Sequence, residues 1–353
     1  MPALMTRTVA VTGPQELTLT EISPVCAPDE VLVRVAYCGI CGSDVPRYFD
    51  GAVHSFPQVL GHEFSGVVEA VGSAVTTARP GDRVAVAPLV PCHRCTECLA
   101  GRPALCPNYS FIGSRRQGAL ADLVAVPAVN LVPLGGLSLK TGALVEPFTV
   151  AIHGVERAEV VPGAPAAVLG GGVIGLLTVL ALRDKGAGDI TVVDVDPRNL
   201  EVARQFGAAH AVNARTDDVA AHFAASGAPV LTVETAGVPS TQRQALAITA
   251  RRGTVVYVGT AHQELALDPG LFETILRHEL TVRGSWMSYS APFPGHEWTD
   301  AVRILGSGLV DPDVLVTHEV ALEDAVRGFE AMRSRDEHRL KVMFRVGGEG
   351  ACG

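Results

Sequence analysis

A glycine-rich turn between a short apolar strand and a helical stretch constrains this chain more than any other feature. Residues 166–169 predict a strand, Gly170-Gly171-Gly172-Val173-Ile174-Gly175 follows, and residues 176–185 continue as a helix. In the pattern G-x-G-x-x-G, glycines allow a tight turn, close approach of backbone to a pyrophosphate and close packing of helix on strand. The next strand, residues 190–194, ends in the acid Asp194. This context predicts a dinucleotide site.

Further strands at 230–235, 254–259 and 280–286 alternate with helical stretches, which indicates a doubly wound parallel sheet. We therefore expect an α/β Rossmann domain over residues 153–288. The predicted cofactor-binding residues lie in the glycine turn and at strand ends, and they are Gly170, Gly172, Val173, Ile174, Gly175, Asp194, Arg198, Thr235 and Gly259.

The cofactor is expected to be NAD rather than NADP. A carboxylate at Asp194 can accept both ribose hydroxyls but would repel a 2′-phosphate. Arg198 lies close enough to complicate this expectation, whereas the position directly after the acid is the apolar Val195.

The cysteines of the chain cluster in a way that predicts metal binding. Four of the eight follow the spacing C-x2-C-x2-C-x7-C, at Cys92, Cys95, Cys98 and Cys106. Without an export signal, this run favours a metal site over disulfides. Four thiolates on a short loop suit a closed, structural zinc, with an iron–sulfur cluster as the alternative. Cys26, Cys38 and Cys352 are assigned no role.

Bulk properties limit the partners. A chain of 353 residues with 48% hydrophobic residues suits two domains. The formal charge of -9 argues against nucleic acid or an anionic membrane as a partner. The sequence has no run of 18 apolar residues and its start does not resemble a signal peptide, so we expect a cytoplasmic protein.

The first part of the chain, residues 1–152, reads as an all-β unit. Strands are predicted at 17–22, 30–37, 64–71 and 83–88, separated by Pro and Gly turns. After the Rossmann domain, residues 289–353 are expected to return to this unit. Surface helices are predicted at 300–308 and 322–333, and a closing strand at 339–346.

Three residues of the β unit predict a catalytic zinc. Such an ion takes three protein ligands from Cys, His and carboxylate and keeps a fourth position open. Cys41, His62 and Glu146 would form a neutral site of this kind. It would bind an alcohol and lower the pKa of its hydroxyl, so that hydride can pass to nicotinamide.

The motif C-G-I-C-G-S-D at 38–44, followed by G-H-E-x-x-G at 61–66, resembles the zinc-dependent medium-chain dehydrogenases, which include alcohol, sorbitol and threonine dehydrogenases. The resemblance implies a chaperonin-10-like (GroES-like) catalytic domain beside the Rossmann domain, an active site in the cleft between them, and two zinc ions per chain. It also implies a homodimer or homotetramer, joined through the apolar edge strand at 280–286.

Further residues around the predicted zinc take roles from the same resemblance. Ser43 would hydrogen-bond the reacting oxygen and pass its proton on, or serve as a turn serine. Asp44 would orient the ligand histidine, or serve as a turn residue. Glu63 is a candidate for the proton path, a transient ligand, or a structural part of the G-H-E turn. Bound permanently with Cys41 and Glu146 it would give the site a net negative charge, so we expect it outside the resting ligand set. Several relatives place a relay histidine at the position of Pro46, so protons here would leave through water.

The substrate is expected to be a polyol or cyclitol, with or without a phosphate. Glu146 replaces the usual cysteine of alcohol dehydrogenases, which favours polyhydroxylated substrates. Segments 111–116, 234–239, 258–263 and 284–290 resemble the family branch that acts on sugar-alcohol phosphates. Phe111, Arg115 and Arg116 are the predicted substrate residues, because arginines recognise phosphate well.

Three alternatives stay open at this point. The arginine pair could be a solvated basic turn or a clamp on the phosphates of the cofactor. The enzyme could be a threonine-type amino-alcohol dehydrogenase. The fold could also serve a non-catalytic nucleotide-binding protein, although such a protein has no need of the zinc ligands.

Overall fold

The computed structural model describes residues 5–334 and 337–347, so Cys352 lies outside the described residues. The chain forms two compact units. The first takes in the chain up to Glu146 and again from Tyr289, and the second is Pro147–Ser288. The predicted division at 152/153 falls inside the helix Val145–Glu156, and the observed division falls inside the same helix. No change in composition marks a boundary that a continuous helix crosses.

The strands and helices are numbered along the chain. The strands are β1 (Thr6–Gly13), β2 (Glu16–Ile22), β3 (Glu30–Gly39), β4 (Gln58–Val59), β5 (Glu63–Val71), β6 (Arg83–Val86), β7 (Leu89–Val90), β8 (Ser110–Phe111), β9 (Leu123–Pro127), β10 (Leu131–Pro133), β11 (Ala166–Leu169), β12 (Ile190–Asp194), β13 (His210–Asn213), β14 (Leu231–Glu234), β15 (Thr254–Tyr257), β16 (Thr281–Gly284), β17 (Val316–Ala321) and β18 (Lys341–Arg345).

The helices complete the list of elements. They are α1 (Asp44–Phe49), α2 (Thr96–Leu99), α3 (Leu139–Gly142), α4 (Val145–Glu156), α5 (Val173–Asp184), α6 (Pro197–Gln205), α7 (Val219–Ser226), α8 (Pro239–Ile248), α9 (Pro269–Arg277), α10 (His296–Leu305) and α11 (Ala325–Arg333), with short 3-10 turns at Pro103–Leu105, Ala128–Asn130, Pro312–Leu315 and Leu322–Asp324. Among the described residues, none of these helices is long and apolar enough to cross a bilayer.

The main sheet of the first unit is centred on β3. Its strand order is β10-β6-β5-β3-β18-β17, and β9 also pairs with β3. β3 is buried along almost its whole length, since nearly every residue from Val31 to Cys38 is apolar. Both β5 and β18 run antiparallel to β3, so the C-terminal strand lies directly beside the strand that leads to Cys41.

The second unit is a six-stranded, fully parallel sheet with the order β13-β12-β11-β14-β15-β16. Helix α5 packs closely after β11 because Gly175 has no side chain. A Cβ atom there would lie 1.8 Å from the Gly170 carbonyl oxygen. This is the doubly wound arrangement that the glycine turn and the strand pattern predict.

Some elements differ from the sequence-based expectation. The helix expected at 300–308 begins earlier, as α10, and it is not purely a surface helix, because Trp298 is completely buried. The helix expected at 322–333 divides into a 3-10 turn and α11. The sequence does not predict β13, because this edge strand of four residues holds only two apolar side chains.

Candidate metal and cofactor sites

Two loops at the end of the main sheet bring three candidate metal ligands together. Cys41 follows β3 and precedes α1, and His62 comes directly before Glu63, the first residue of β5. One ligand atom from each of these three side chains lies within 4.8 Å of the other two. His62 and Glu63 are buried, whereas Cys41 remains partly accessible. The prediction kept Glu63 out of the resting ligands, and the structure places its carboxylate close enough to Cys41 and His62 to serve as one.

Glu146, the predicted third ligand, lies in the first turn of α4. Its charge interacts with those of His62, Glu63 and Cys41. Burial raises the pKa of its carboxyl to about 8; His62 opposes this rise, and Glu63 and Cys41 add to it. Burial also raises the pKa of Cys41 to about 11, with Glu63 and Asp44 contributing. A divalent cation would stabilise the ionised forms of these acids, and the donor set of thiolate, imidazole and carboxylate suits zinc.

Asp44 lies behind His62. Its Oδ1 is 3.5 Å from His62 Nδ1, a buried nitrogen that has no hydrogen-bond partner among the described residues. The Asp44 carboxylate also accepts hydrogen bonds from the Cys41 backbone N–H at 3.2 Å and from Arg47 Nη1 at 2.8 Å. The geometry therefore suits an acid that orients the histidine and fixes which ring nitrogen faces the metal.

Ser43 is exposed next to Cys41, and its hydroxyl contacts the Cys41 sulfur and favours the thiolate. Arg47 Nη1 donates to Ser43 Oγ at 3.1 Å. Arg47 is not among the site residues predicted from the sequence. Its spacing from Asp44 and Ser43, three and four residues along α1, is the signal that could have revealed this contact.

Lys341 is a second residue that the sequence-based argument misses. Its Nζ donates to Glu63 Oε2 at 2.6 Å and to the Ile40 carbonyl oxygen at 3.2 Å. Burial lowers the pKa of Lys341, but the charges of Glu63 and Cys41 outweigh this and raise it above its usual value. A lone lysine within the apolar run of β18 is the only trace of this contact in the sequence.

The four cysteines of the second predicted metal site also come together. The sulfur atoms of Cys92, Cys95, Cys98 and Cys106 lie within 4.8 Å of one another and form no disulfide. Backbone N–H groups support negative sulfur, with Cys92 N donating to Cys106 Sγ at 3.4 Å. The Arg94 N–H is the main reason that the pKa of Cys92 is lowered to about 6. Four thiolates fit a closed tetrahedral zinc.

The glycine turn of the second unit fits a dinucleotide. Gly172 caps the N-terminus of α5 without a side-chain hydrogen bond, and a Cβ atom there would meet nothing within 4 Å. Open space beside uncapped N–H groups at the N-terminus of a helix is suited to phosphate. Val173 and Ile174 form the first turn of this helix and are half-buried.

The other predicted cofactor residues surround this turn. Asp194 accepts hydrogen bonds from the backbone N–H of Gly171 at 2.6 Å and of Asp196 at 2.7 Å. Thr235 Oγ1 donates to the carbonyl oxygens of Leu169 and Gly170, both at 3.1 Å. These contacts place Asp194 and Thr235 at the carboxyl ends of β12 and β14, beside the glycine turn.

Arg198 and Gly259 complete the predicted set. Arg198 Nη2 pairs with Asp196 at 2.7 Å, so its guanidinium is held on the cap of α6. Gly259 follows β15 and packs against the buried acid Glu234, whose Oε2 would lie 2.8 Å from a Cβ atom at this position.

The predicted substrate residues have three different environments. The Phe111 ring lies edge-on to the His62 ring, with centroids 5.5 Å apart. Arg115 is exposed and stacks on Tyr109, its Cζ 4.1 Å from the ring centroid. Arg116 instead forms an ion pair with Glu30 at the start of β3. The structure therefore brings Phe111 to the metal ligands and binds Arg116 within the β unit.

Two family models match successive parts of the chain. The alcohol dehydrogenase GroES-like domain matches residues 27–136, and the zinc-binding dehydrogenase model matches residues 173–307. These matches confirm the predicted fold class, a GroES-like domain combined with a Rossmann domain.

Individual relatives agree with this result. The chain is 40% identical to galactitol 1-phosphate 5-dehydrogenase of Escherichia coli (strain K12) over 299 residues, 84% of this chain and 86% of the relative. It is 37% identical to sorbitol dehydrogenase of Bacillus subtilis (strain 168) over 327 residues, 89% of this chain and 90% of the relative. The crystal structure of galactitol-1-phosphate dehydrogenase from Escherichia coli superposes with a TM-score of 0.91 at 36% identity, covering 96% of this chain and 100% of that one. The chain therefore belongs to the zinc-dependent medium-chain dehydrogenases, as its cysteine, histidine and glycine motifs predict.

Proposed function

We propose that this enzyme transfers hydride between NAD(H) and a secondary alcohol of a phosphorylated polyol or cyclitol, interconverting the alcohol and the ketone. The observation that carries the proposal is the grouping of Cys41, His62 and Glu63, whose charges interact with that of Glu146. Relatives named for galactitol 1-phosphate, sorbitol and L-arabinitol support a polyol as the substrate.

Cys41, His62 and Glu146 would hold the catalytic zinc, with Glu63 within reach as a further ligand. The bound ion supplies a Lewis acid that lowers the pKa of the substrate hydroxyl towards neutrality. Asp44 keeps the ring of His62 in position. Ser43 accepts a hydrogen bond from Arg47 and directs its own proton to the Cys41 sulfur; that proton could be passed on and replaced as the substrate hydroxyl ionises. Because Pro46 cannot carry a proton, the proton would leave Ser43 through water.

The cofactor preference rests on two acids. Asp194 is tied to the glycine turn and would repel a 2′-phosphate there. Arg198, the cation that could have favoured NADP, is held by Asp196 through its Nε and Nη2 atoms. The structures of relatives include one bound to NADP and one complexed with NADH, so the preference must be measured on this chain. We expect kcat/KM to be higher with NAD⁺ than with NADP⁺.

Phosphate recognition is assigned to Arg115 rather than to both arginines. Arg115 is exposed, and its Nη1 makes one hydrogen bond, at 3.3 Å, to the Tyr109 carbonyl oxygen. Arg116 is engaged by Glu30, so that binding a phosphate would require this ion pair to break. The two adjacent arginines therefore provide a matched pair of variants.

The test is a panel of NAD⁺ reduction with hexitols, hexitol phosphates, inositols and threonine. Arg115→Ala should raise KM for a phosphorylated substrate about 10-fold or more, and KM for its dephosphorylated analogue little. Arg116→Ala is the control and should change both by the same factor. Equal losses for both analogues in Arg115→Ala would refute phosphate recognition, and turnover of threonine alone would establish the amino-alcohol alternative.

We also propose that two copies of this chain associate through β16. This strand is the edge of the parallel sheet and all four of its residues are exposed. Val282 on the strand and Trp286 just after it are exposed, and so are Phe272 and Leu276 on α9, the helix that precedes the strand in sequence. An edge strand with such surroundings is stabilised by pairing with a second copy. Sedimentation at micromolar concentration should show at least a dimer, and Val282→Lys should weaken it.

A further inference from the structure

Three neighbouring strands meet beside the candidate catalytic metal centre. Gly39, the last residue of β3, pairs with Glu63 on β5 and with Met343 on β18. A Cβ atom at Gly39 would lie 2.4 Å from Glu63 Oε2 and 3.3 Å from Lys341 Cδ. The missing side chain on the middle strand is therefore what lets Glu63 and Lys341 touch across it.

The resulting ion pair is deeply buried. Lys341 is 5% exposed and Glu63 is 2% exposed, and Nζ lies 2.6 Å from Oε2. Removing two charges from water is costly, and a buried pair is often no more stabilising than apolar residues of similar volume. A contribution to folding alone therefore does not explain why charges occupy this position.

The charges around the metal ligands give a reason. With Cys41, Glu63 and Glu146 ionised, three negative side chains surround one divalent cation and leave a net charge of about -1. Such an excess would hold the cation more tightly but weaken its action on a substrate hydroxyl. The positive charge of Lys341 removes the excess.

We propose that the ammonium group of Lys341, paired with Glu63 beside Cys41 and Glu146, balances the charge of the catalytic metal centre, so that the centre is neutral overall. Lys341 is a positioning residue in this role, because it acts on the metal through Glu63. The inference rests on the proposed function, in which Cys41 and His62 hold zinc.

The competing explanation is that Lys341 only fastens β18 to β3 and β5. The two explanations predict different changes in zinc affinity when Lys341 is replaced. Loss of a strand contact would weaken zinc binding or leave it unchanged, whereas loss of a balancing positive charge would strengthen zinc binding and reduce turnover.

The experiment measures zinc affinity by competition with a chelator, in mildly alkaline buffer, on the full-length enzyme. The catalytic zinc is identified as the one missing from Cys41→Ser. The variants are Lys341→Met, Glu63→Gln and the double variant. Lys140→Met is the matched control, since Lys140 pairs with Asp313 and Glu319 away from the centre.

We expect Lys341→Met to bind the catalytic zinc about 10-fold tighter or more, because a repelling charge a few ångströms away is removed. Glu63→Gln should bind it about 10-fold more weakly, and the double variant should return to within about 3-fold of the wild type. Turnover of Lys341→Met should fall although its zinc is tighter, and Lys140→Met should match the wild type.

Unchanged or weaker zinc binding in Lys341→Met overturns the inference. If that variant does not fold, the double variant must bind zinc tighter than Glu63→Gln, and equal affinity of these two overturns it as well. Failure of the proposed function would look different, because Cys41→Ser would then retain both zinc ions.

Discussion

The two metal centres proposed for the first unit would take their ligands from the chain in opposite ways. Cys92, Cys95, Cys98 and Cys106 lie on one loop, held by backbone N–H groups of the loop itself. Cys41, His62 and Glu146 come from a turn, the residue before β5 and a helix, and Lys341 on β18 pairs with Glu63 beside them. The first centre is encoded by spacing, and the second exists only once the sheet has formed.

This difference assigns different functions to the two centres. A closed set of four thiolates leaves no position for a substrate and contributes to folding. The second centre would combine mixed donors, desolvation raises the pKa values of Cys41 and Glu146, and the partly accessible side chain of Cys41 leaves an approach to the centre. Substitutions in the two centres should therefore separate turnover from stability.

The largest effect is expected for Cys41→Ser. Loss of the thiolate ligand should remove one zinc and lower kcat/KM by about 10³-fold or more, because the hydroxyl of the substrate is no longer activated. The unfolding midpoint should change little. Elemental analysis, kinetics and denaturant unfolding measure the three quantities. Cys26→Ser is the control, since Cys26 donates only to backbone carbonyls outside both centres. Loss of both metals in Cys41→Ser would show that the centres are not independent.

Cys98→Ser should give the reverse result. Removing one of four thiolates should release the other zinc and lower the free energy of unfolding by about 3 to 5 kcal/mol. The folded fraction should keep kcat within about 3-fold of the wild type, because this centre does no chemistry. A large fall in kcat with unchanged stability would contradict the division of roles. Denaturant titration and single-substrate kinetics provide the two readouts.

The smallest effect is expected for Asp44→Asn. An amide at this position still fills the space but no longer carries the charge that faces His62 Nδ1, so zinc affinity at the catalytic centre should fall about 10- to 100-fold. Asp122→Asn removes an acid from an exposed ion pair with Arg7 and should leave zinc affinity unchanged. Identical affinities for the two variants would mean that Asp44 only fills the turn.

The same contrast explains what the sequence could predict. The four-cysteine loop and the glycine turn are local patterns, so residue spacing alone predicts both groupings. The strand from Ala166 to Leu169 and the strand from Ile190 to Asp194 also appear where the apolar runs predict them. The division of the chain inside α4 could not be predicted, because a continuous helix gives no composition signal.

Contacts between positions that are distant in sequence could not be predicted from residue spacing. Glu63 and Lys341 are 278 positions apart, and only the strand order β5-β3-β18 brings them together. The prediction excluded Glu63 from the ligands on grounds of charge, and that argument lacked the compensating lysine. Arg116 and Glu30, 86 positions apart, meet for the same kind of reason, and their ion pair engages one of the two predicted phosphate ligands.

The long separation in sequence between Lys341 and its contact residues has a consequence during protein synthesis. Lys341 lies 301 positions after Ile40, the residue whose carbonyl oxygen it binds. At about 5 to 20 residues per second, the ribosome needs roughly 15 to 60 s to make the chain between them. Until Lys341 is made, Glu63 lacks its ion-pair partner and β3 lacks its neighbour β18. A nascent chain that captures zinc before then would hold it in a centre whose charge is unbalanced.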